Sequence, residues 1–189
     1  MISKSSVTTL LTRSRNFYDD RRGVAAVEFA IVLPFMLALY IGGVELGDGM
    51  AIKVKVTDTA HIIADLVTQN SSVNQAALNC ILNASSATIA PYASSNLVVT
   101  VSEVSTNASG VAKVAWSQSL NGTARSVGQV MALPSSLAGQ ANISMILGEV
   151  SYAYAPNLGY AITGTMNLSD SYYLYPRNSP SIPCSDCAG

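Results

Sequence analysis

The chain has 189 residues, room for one modest domain and an anchor but not for two full domains and an anchor. Only 11% of residues are charged while 49% are hydrophobic, with mean hydropathy +0.34, so a segment solvated by lipid is expected. The net charge is −1, yet Lys4, Arg13, Arg15, Arg21 and Arg22 cluster in the first 22 positions, and from Gly23 onward five basic residues meet nine acidic ones. That asymmetry suits membrane orientation and argues against a nucleic-acid-binding domain, which needs its basic face on the folded part.

Residues 24–44 read VAAVEFAIVLPFMLALYIGGV, with Glu28 as their single charge. At a rise of about 1.5 Å per residue this run spans roughly 30 Å, the thickness of a hydrocarbon core. Its length argues against a core helix of a soluble protein. A cleaved secretory signal would need a small-x-small site before charged residues resume, and none is present. Arg21 and Arg22 precede the run while Glu45 and Asp48 follow it, so the N-terminus is expected in the cytoplasm and the remainder on the far side. Pro34 is expected to kink the helix, and the pairs Ala26/Ala30 and Gly43/Gly47 are spaced to let another helix approach closely. A carboxylate inside the run is unfavourable by roughly 2–4 kcal/mol. Two readings of Glu28 follow. It reaches back towards Arg22 at the interface, or it serves as partner to a new amino-terminus created by a cut between Gly23 and Val24, of which it is the fifth residue on.

Beyond the run, Ile52, Val56, Ile63 and Val67 form one stripe of a continuing helix, which from 24 to 70 would be about 70 Å long. IKVKVT at 52–57 alternates like a strand, but the following HIIADLV does not, so helix is the expectation. Ser72 with Gln75 reads as a capping box opening a second helix to about Ala90, ended by Pro91. Residues 97–106 and 111–120 read as two strands around an Asn107–Gly110 turn, and 145–155 and 168–177 as two more. Arg125–Leu133 is left as a short helix or a loop. The expected fold is α+β: a long N-terminal helix, a second helix and a four- or five-stranded, mostly antiparallel sheet burying one face.

Little in the chain points to catalysis or a cofactor. His61 is the single histidine; Asp58 and Asp65 share its helix face, but a solvated stalk face explains them better than a metal site. No phosphate loop, paired zinc set or nucleophile with a credible base is present, so no cofactor, no metal and no enzymatic activity are expected. Six of the nine tyrosines follow position 150, which suits cross-strand packing more than a partner- or glycan-binding edge. Cys80, Cys184 and Cys187 are disulfide candidates. A bridge from Cys80 to the tail would close a long loop and contribute up to ~4–5 kcal/mol. A Cys184–Cys187 bridge would close only a small one. The first is marginally preferred, because it would pin the second helix to the tail.

The run RRGVAAVEFAIVLP at 21–34 resembles the TadE-like pseudopilins of bacterial tight-adherence (Tad) pilus systems, and VAWSQ around Trp116, GEVSYAYAP from Gly148 and YLYPR at 173–177 resemble them more loosely. The resemblance implies that a prepilin peptidase cuts between Gly23 and Val24. It also implies that Glu28 is the assembly carboxylate with Phe29 as its aromatic neighbour. Phe29 where the major pilins usually carry tyrosine, together with the large distal domain, favours a minor pilin over the main filament subunit. The implied plan is pilin-like: a basic cytoplasmic leader (1–23), a transmembrane helix (24–44), a helical stalk (45–71) and a periplasmic α+β domain (72–189). The implied setting is the bacterial inner membrane, and the implied partners are the peptidase, membrane lipid, other pilin subunits and the secretion machinery. The competing reading is a membrane-anchored periplasmic binding domain with no part in pilus assembly.

Overall fold

The computed structural model describes residues 22–156 and 164–187. The basic residues up to Arg21, the side chain of Arg22, and Tyr160 lie outside the described residues. Helix α1 spans Arg22–Thr68, 47 residues that continue through Pro34. By contact the chain divides into two units between Val44 and Glu45.

In the second unit α1 buries one stripe. Ile52, Val56, Ile63 and Val67 are at most 1% exposed, joined by Ala60 and Ala64 between them. The alternating IKVKVT is therefore helical, because a four-residue apolar spacing sustained to Val67 outweighs six residues of alternation. The helix stops at Thr68, whose carbonyl accepts the amide of Arg177 at 3.1 Å, while the Asn178 side chain donates to the carbonyl of Gln69 at 2.6 Å. Two carbonyls at the helix end are thus satisfied by the C-terminal tail.

Helix α2 spans Gln75–Ser86. Its N-cap is Asn74, whose side-chain oxygen accepts from the amide of Ala77 at 2.8 Å, and not the expected Ser72. Val73 explains the shift. It is held extended in a parallel bridge to Cys184, with its amide on the carbonyl of Pro183 at 3.0 Å, so helical geometry begins only after it. Asparagine caps as well as serine does, and propensity left the choice to this tertiary pairing. The helix also ends earlier than expected, tightening into a 3-10 turn at Ala87–Ile89.

Five strands follow: β1 (Leu97–Thr106), β2 (Ala112–Leu120), β3 (Val130–Met131), β4 (Ser144–Tyr154) and β5 (Met166–Leu174), in the order β3-β2-β1-β4-β5. Every pairing is antiparallel. The β1–β2 hairpin turns where expected. The Asn107 side chain accepts from the amides of Ser109 and Val111, and Gly110 takes φ +74°, which a glycine adopts without strain. The ambiguous 125–133 stretch is resolved as loop plus the two-residue β3, too short to show a period.

Alternation sorts the sheet's faces. Leu97, Val99 and Val101 of β1, Trp116 of β2, and Ile146, Val150 and Tyr152 of β4 join the stripe of α1 and Leu78 and Leu82 of α2 in one core. At Gly148 the helix comes closest: a Cβ there would lie 2.5 Å from the carbonyl oxygen of Ala60. The opposite face holds a smaller cluster of Val104, Ala112 and Leu147, and beside it a field of hydroxyl side chains. The observed class is α+β, as the sequence implies.

Candidate functional site

The N-terminal part of α1 carries the residues singled out for processing and assembly. Val24 is 54% exposed, Phe29 65% and Leu39 74%; Gly23 and Glu28 are exposed as well. The most apolar 18-residue stretch has mean hydropathy 2.3, and none of it is buried. A run so apolar and so little buried makes α1 long and apolar enough to cross a membrane once, and α1 is the single such helix among the described residues. Glu28 projects from it with Val24, Ile31 and Val32 as its neighbours three and four positions away, all apolar. Pro34 offers no amide to the carbonyl of Ala30, leaving a polar group inside the apolar run. Around Gly43 and Gly47 no atom of the described residues lies within 4 Å of where a Cβ would stand, so this small-residue surface is open among them. The tie from Glu28 to Arg22 involves a side chain outside the described residues.

The cysteines resolve differently from the preferred pairing. Cys184 and Cys187 form the disulfide, and Cys80 is free and exposed. The reason is helical phase. Leu78 and Leu82 turn inward from α2, and Cys80, two residues from each, points to the opposite side. The tail is nevertheless pinned to α2 without that bridge. Asp186 accepts the amide of Gln75 at 2.8 Å, placing a carboxylate at the helix N-terminus, where the helix dipole favours it.

Sequence reasoning missed the most buried part of this tail lock. Ile182 is fully buried; its carbonyl accepts the indole Nε1–H of Trp116 at 2.7 Å, and its amide donates to Glu103 Oε1 at 2.8 Å. Glu103, 3% exposed, also accepts from the Ser144 hydroxyl at 2.6 Å. A signal was there to read. Glu103 continues the parity of Leu97, Val99 and Val101, so a carboxylate falls on the core face, where it needs donors.

His61, Asp58 and Asp65 do not assemble as a metal set. Asp65 takes Arg177 and Gln69, and His61 packs edge-on against Tyr172 at 4.8 Å. The late tyrosines are likewise dispersed. Tyr152 and Tyr154 are core residues, and the Tyr154 hydroxyl donates to the carbonyl of Glu45 at 3.1 Å. Tyr172 and Tyr173 point to opposite faces, and Tyr175 donates to Gln140. Burial pushes the phenols of Tyr154 and Tyr173 above their ordinary range. The Asp170 carboxyl sits below its ordinary range because it accepts from Thr57 and then from Lys53, tying β5 to α1.

The model of the TadE-like protein family matches residues 23–65 of this chain. That segment contains Gly23, Val24, Glu28, Phe29, Pro34 and most of the buried stripe of α1. No curated protein and no solved structure matches the chain.

Proposed function

From the premise that this chain is a TadE-like protein associated with a Tad pilus system, we propose that it is a non-enzymatic minor pilin required for assembly of an adhesion pilus. One observation carries the reading: a single carboxylate, Glu28, stands exposed in the otherwise apolar and unburied run 24–44 of α1, five residues after Gly23. The basic leader stays in the cytoplasm, the run 24–44 crosses the inner membrane, and the domain faces the periplasm. A prepilin peptidase cuts between Gly23 and Val24, creating an amino-terminus inside the apolar zone.

The mechanism is electrostatic. Alone in lipid, Glu28 is unfavourable by about 3 kcal/mol. Next to a neighbouring subunit's new amino-terminus it gains attraction. At 4 Å and an effective dielectric of 20 that attraction is about 4 kcal/mol, against about 1 in water. Glu28 therefore favours assembly over solitary insertion, and Phe29 packs beside it in the assembled helices.

Two measurements test this. Mass spectrometry of membrane-purified protein should find Val24 as the mature N-terminus, and Gly23→Leu should abolish the cut. Glu28→Gln should insert and be cut normally yet leave cells with few or no pili at matched protein levels. Parental piliation in Glu28→Gln, or an uncut chain in cells with active peptidase, would favour the anchored binding domain instead.

A further inference from the structure

The sheet face turned away from α1 and α2 bears a row of polar side chains in register across four strands. Ser119 of β2 lies opposite Thr100 of β1, Thr100 opposite Glu149 of β4, and Glu149 opposite Ser171 of β5. The next row holds Ser151 opposite Ser169. The segment after β2 crosses this face, anchored by the Arg125 amide on the Ser117 hydroxyl at 3.0 Å, and carries the Arg125 guanidinium onto Glu149. Arg125 donates from Nε to Glu149 Oε2 at 2.8 Å and from Nη2 to Oε1 at 2.6 Å. Between the ion pair and β5 lies a groove of about 560 Å³, within the size range of small-molecule sites.

We propose that this groove binds a neutral glycan, which sets a vicinal pair of hydroxyls against the Arg125–Glu149 pair. A sugar hydroxyl both donates and accepts. A diol can therefore donate to the carboxylate and accept from the guanidinium at once, three of whose five donors are left over by the bidentate contact. The pair is held before any ligand arrives, with both side chains about 30% exposed, so little ordering is needed on binding. Charge argues for neutrality. Arg125 and Glu149 neutralise each other, so the pair offers neither an anion nor a cation a net opposite charge, and the Asp170 carboxylate is turned to Lys53 and Thr57 on α1. The lining argues against lipid, since Val98 and Val150 are its only apolar residues among the described ones. The hydroxyls of Thr123, Ser151, Ser169 and Ser171 supply the short adaptable donors and acceptors that a polyhydroxyl ligand needs. This inference stands apart from the role of Glu28 and holds whichever reading of the anchor is right.

The test uses the full chain in a zwitterionic detergent, because a sugar-headed detergent would compete. Triacetylchitotriose and maltotriose serve as neutral probes, with inorganic phosphate as the anionic one, read by saturation-transfer NMR and calorimetry. At least one trisaccharide should bind with a millimolar or tighter Kd, undisturbed by phosphate. Ser171→Phe, which fills the groove from an exposed position on β5, and Glu149→Gln, which keeps its shape, should each weaken binding at least tenfold. The unfolding midpoint followed by Trp116 fluorescence should be unchanged in Ser171→Phe. Failure of both trisaccharides to bind, displacement by phosphate, or parental affinity in Ser171→Phe overturns the proposal.

Discussion

Gly148→Ala gives the sharpest test of how α1 is joined to the sheet. Gly148 sits inside β4, and a Cβ added there would stand 2.5 Å from the carbonyl oxygen of Ala60, 3.3 Å from Ala64 Cβ and 3.4 Å from the Ala64 amide nitrogen. In an open strand position, Gly→Ala would stabilise by about 0.4–1 kcal/mol through the unfolded chain. Here the nearest atom belongs to helix backbone and cannot swing aside, so helix and sheet must separate. Opening an interface by 0.5–1 Å forfeits roughly a quarter to a half of each contact's dispersion energy, and overpacked cores lose about 1–3 kcal/mol. The larger figure is expected, because the row through Val101 and Gly148 lies in the middle of the packed face. For a unit of this size, 3 kcal/mol is a fall in Tm of about 6–12 °C. The single tryptophan, Trp116, 3% exposed with its indole on the tail, reports unfolding by fluorescence. Ala64→Gly should rescue only partly, since the closest clash is with the Ala60 carbonyl. A Gly148→Ala protein as stable as the parent, or more so, would refute the close approach.

Ile182→Ala should destabilise by about 2–5 kcal/mol and shift Trp116 emission to the red in the remaining native state, because it empties the fully buried site that closes the tail over the core. Non-reducing peptide mapping should recover Cys184 linked to Cys187 and Cys80 alkylated, and opening so short a loop should weaken the fold by no more than ~2 kcal/mol. Asp170 has a folded pKa below its ordinary 3.8, chiefly through Thr57 and then Lys53. Its contribution is therefore complete above the unfolded value and is lost as pH falls through the folded one. Urea unfolding of Asp170→Asn should show lower stability at neutral pH and a shallower decline below about pH 4 than the parent.

Most of the architecture was legible in local pattern. Spacings of four and seven carried α1 from the apolar run to Val67, and period-two runs located four strands to within about three residues, because each such pattern fits one way of burying a single face. The Gly23-to-Glu28 spacing was legible for a different reason: a lone carboxylate in a lipid-length run has no local explanation. Tertiary structure decided the rest. Ser72 and Asn74 are both good caps, and the pairing of Val73 with the tail chose between them. Loop entropy favoured a bridge to Cys80, but Leu78 and Leu82 claimed the inner side of α2 and turned that thiol outward. The capture of Ile182 by Glu103 and Trp116, the Arg125–Glu149 pair and the meeting of Gly148 with Ala60 join residues 24 to 88 positions apart. Contacts so distant leave no periodic trace, since periodicity records which face is buried and not what it is buried against.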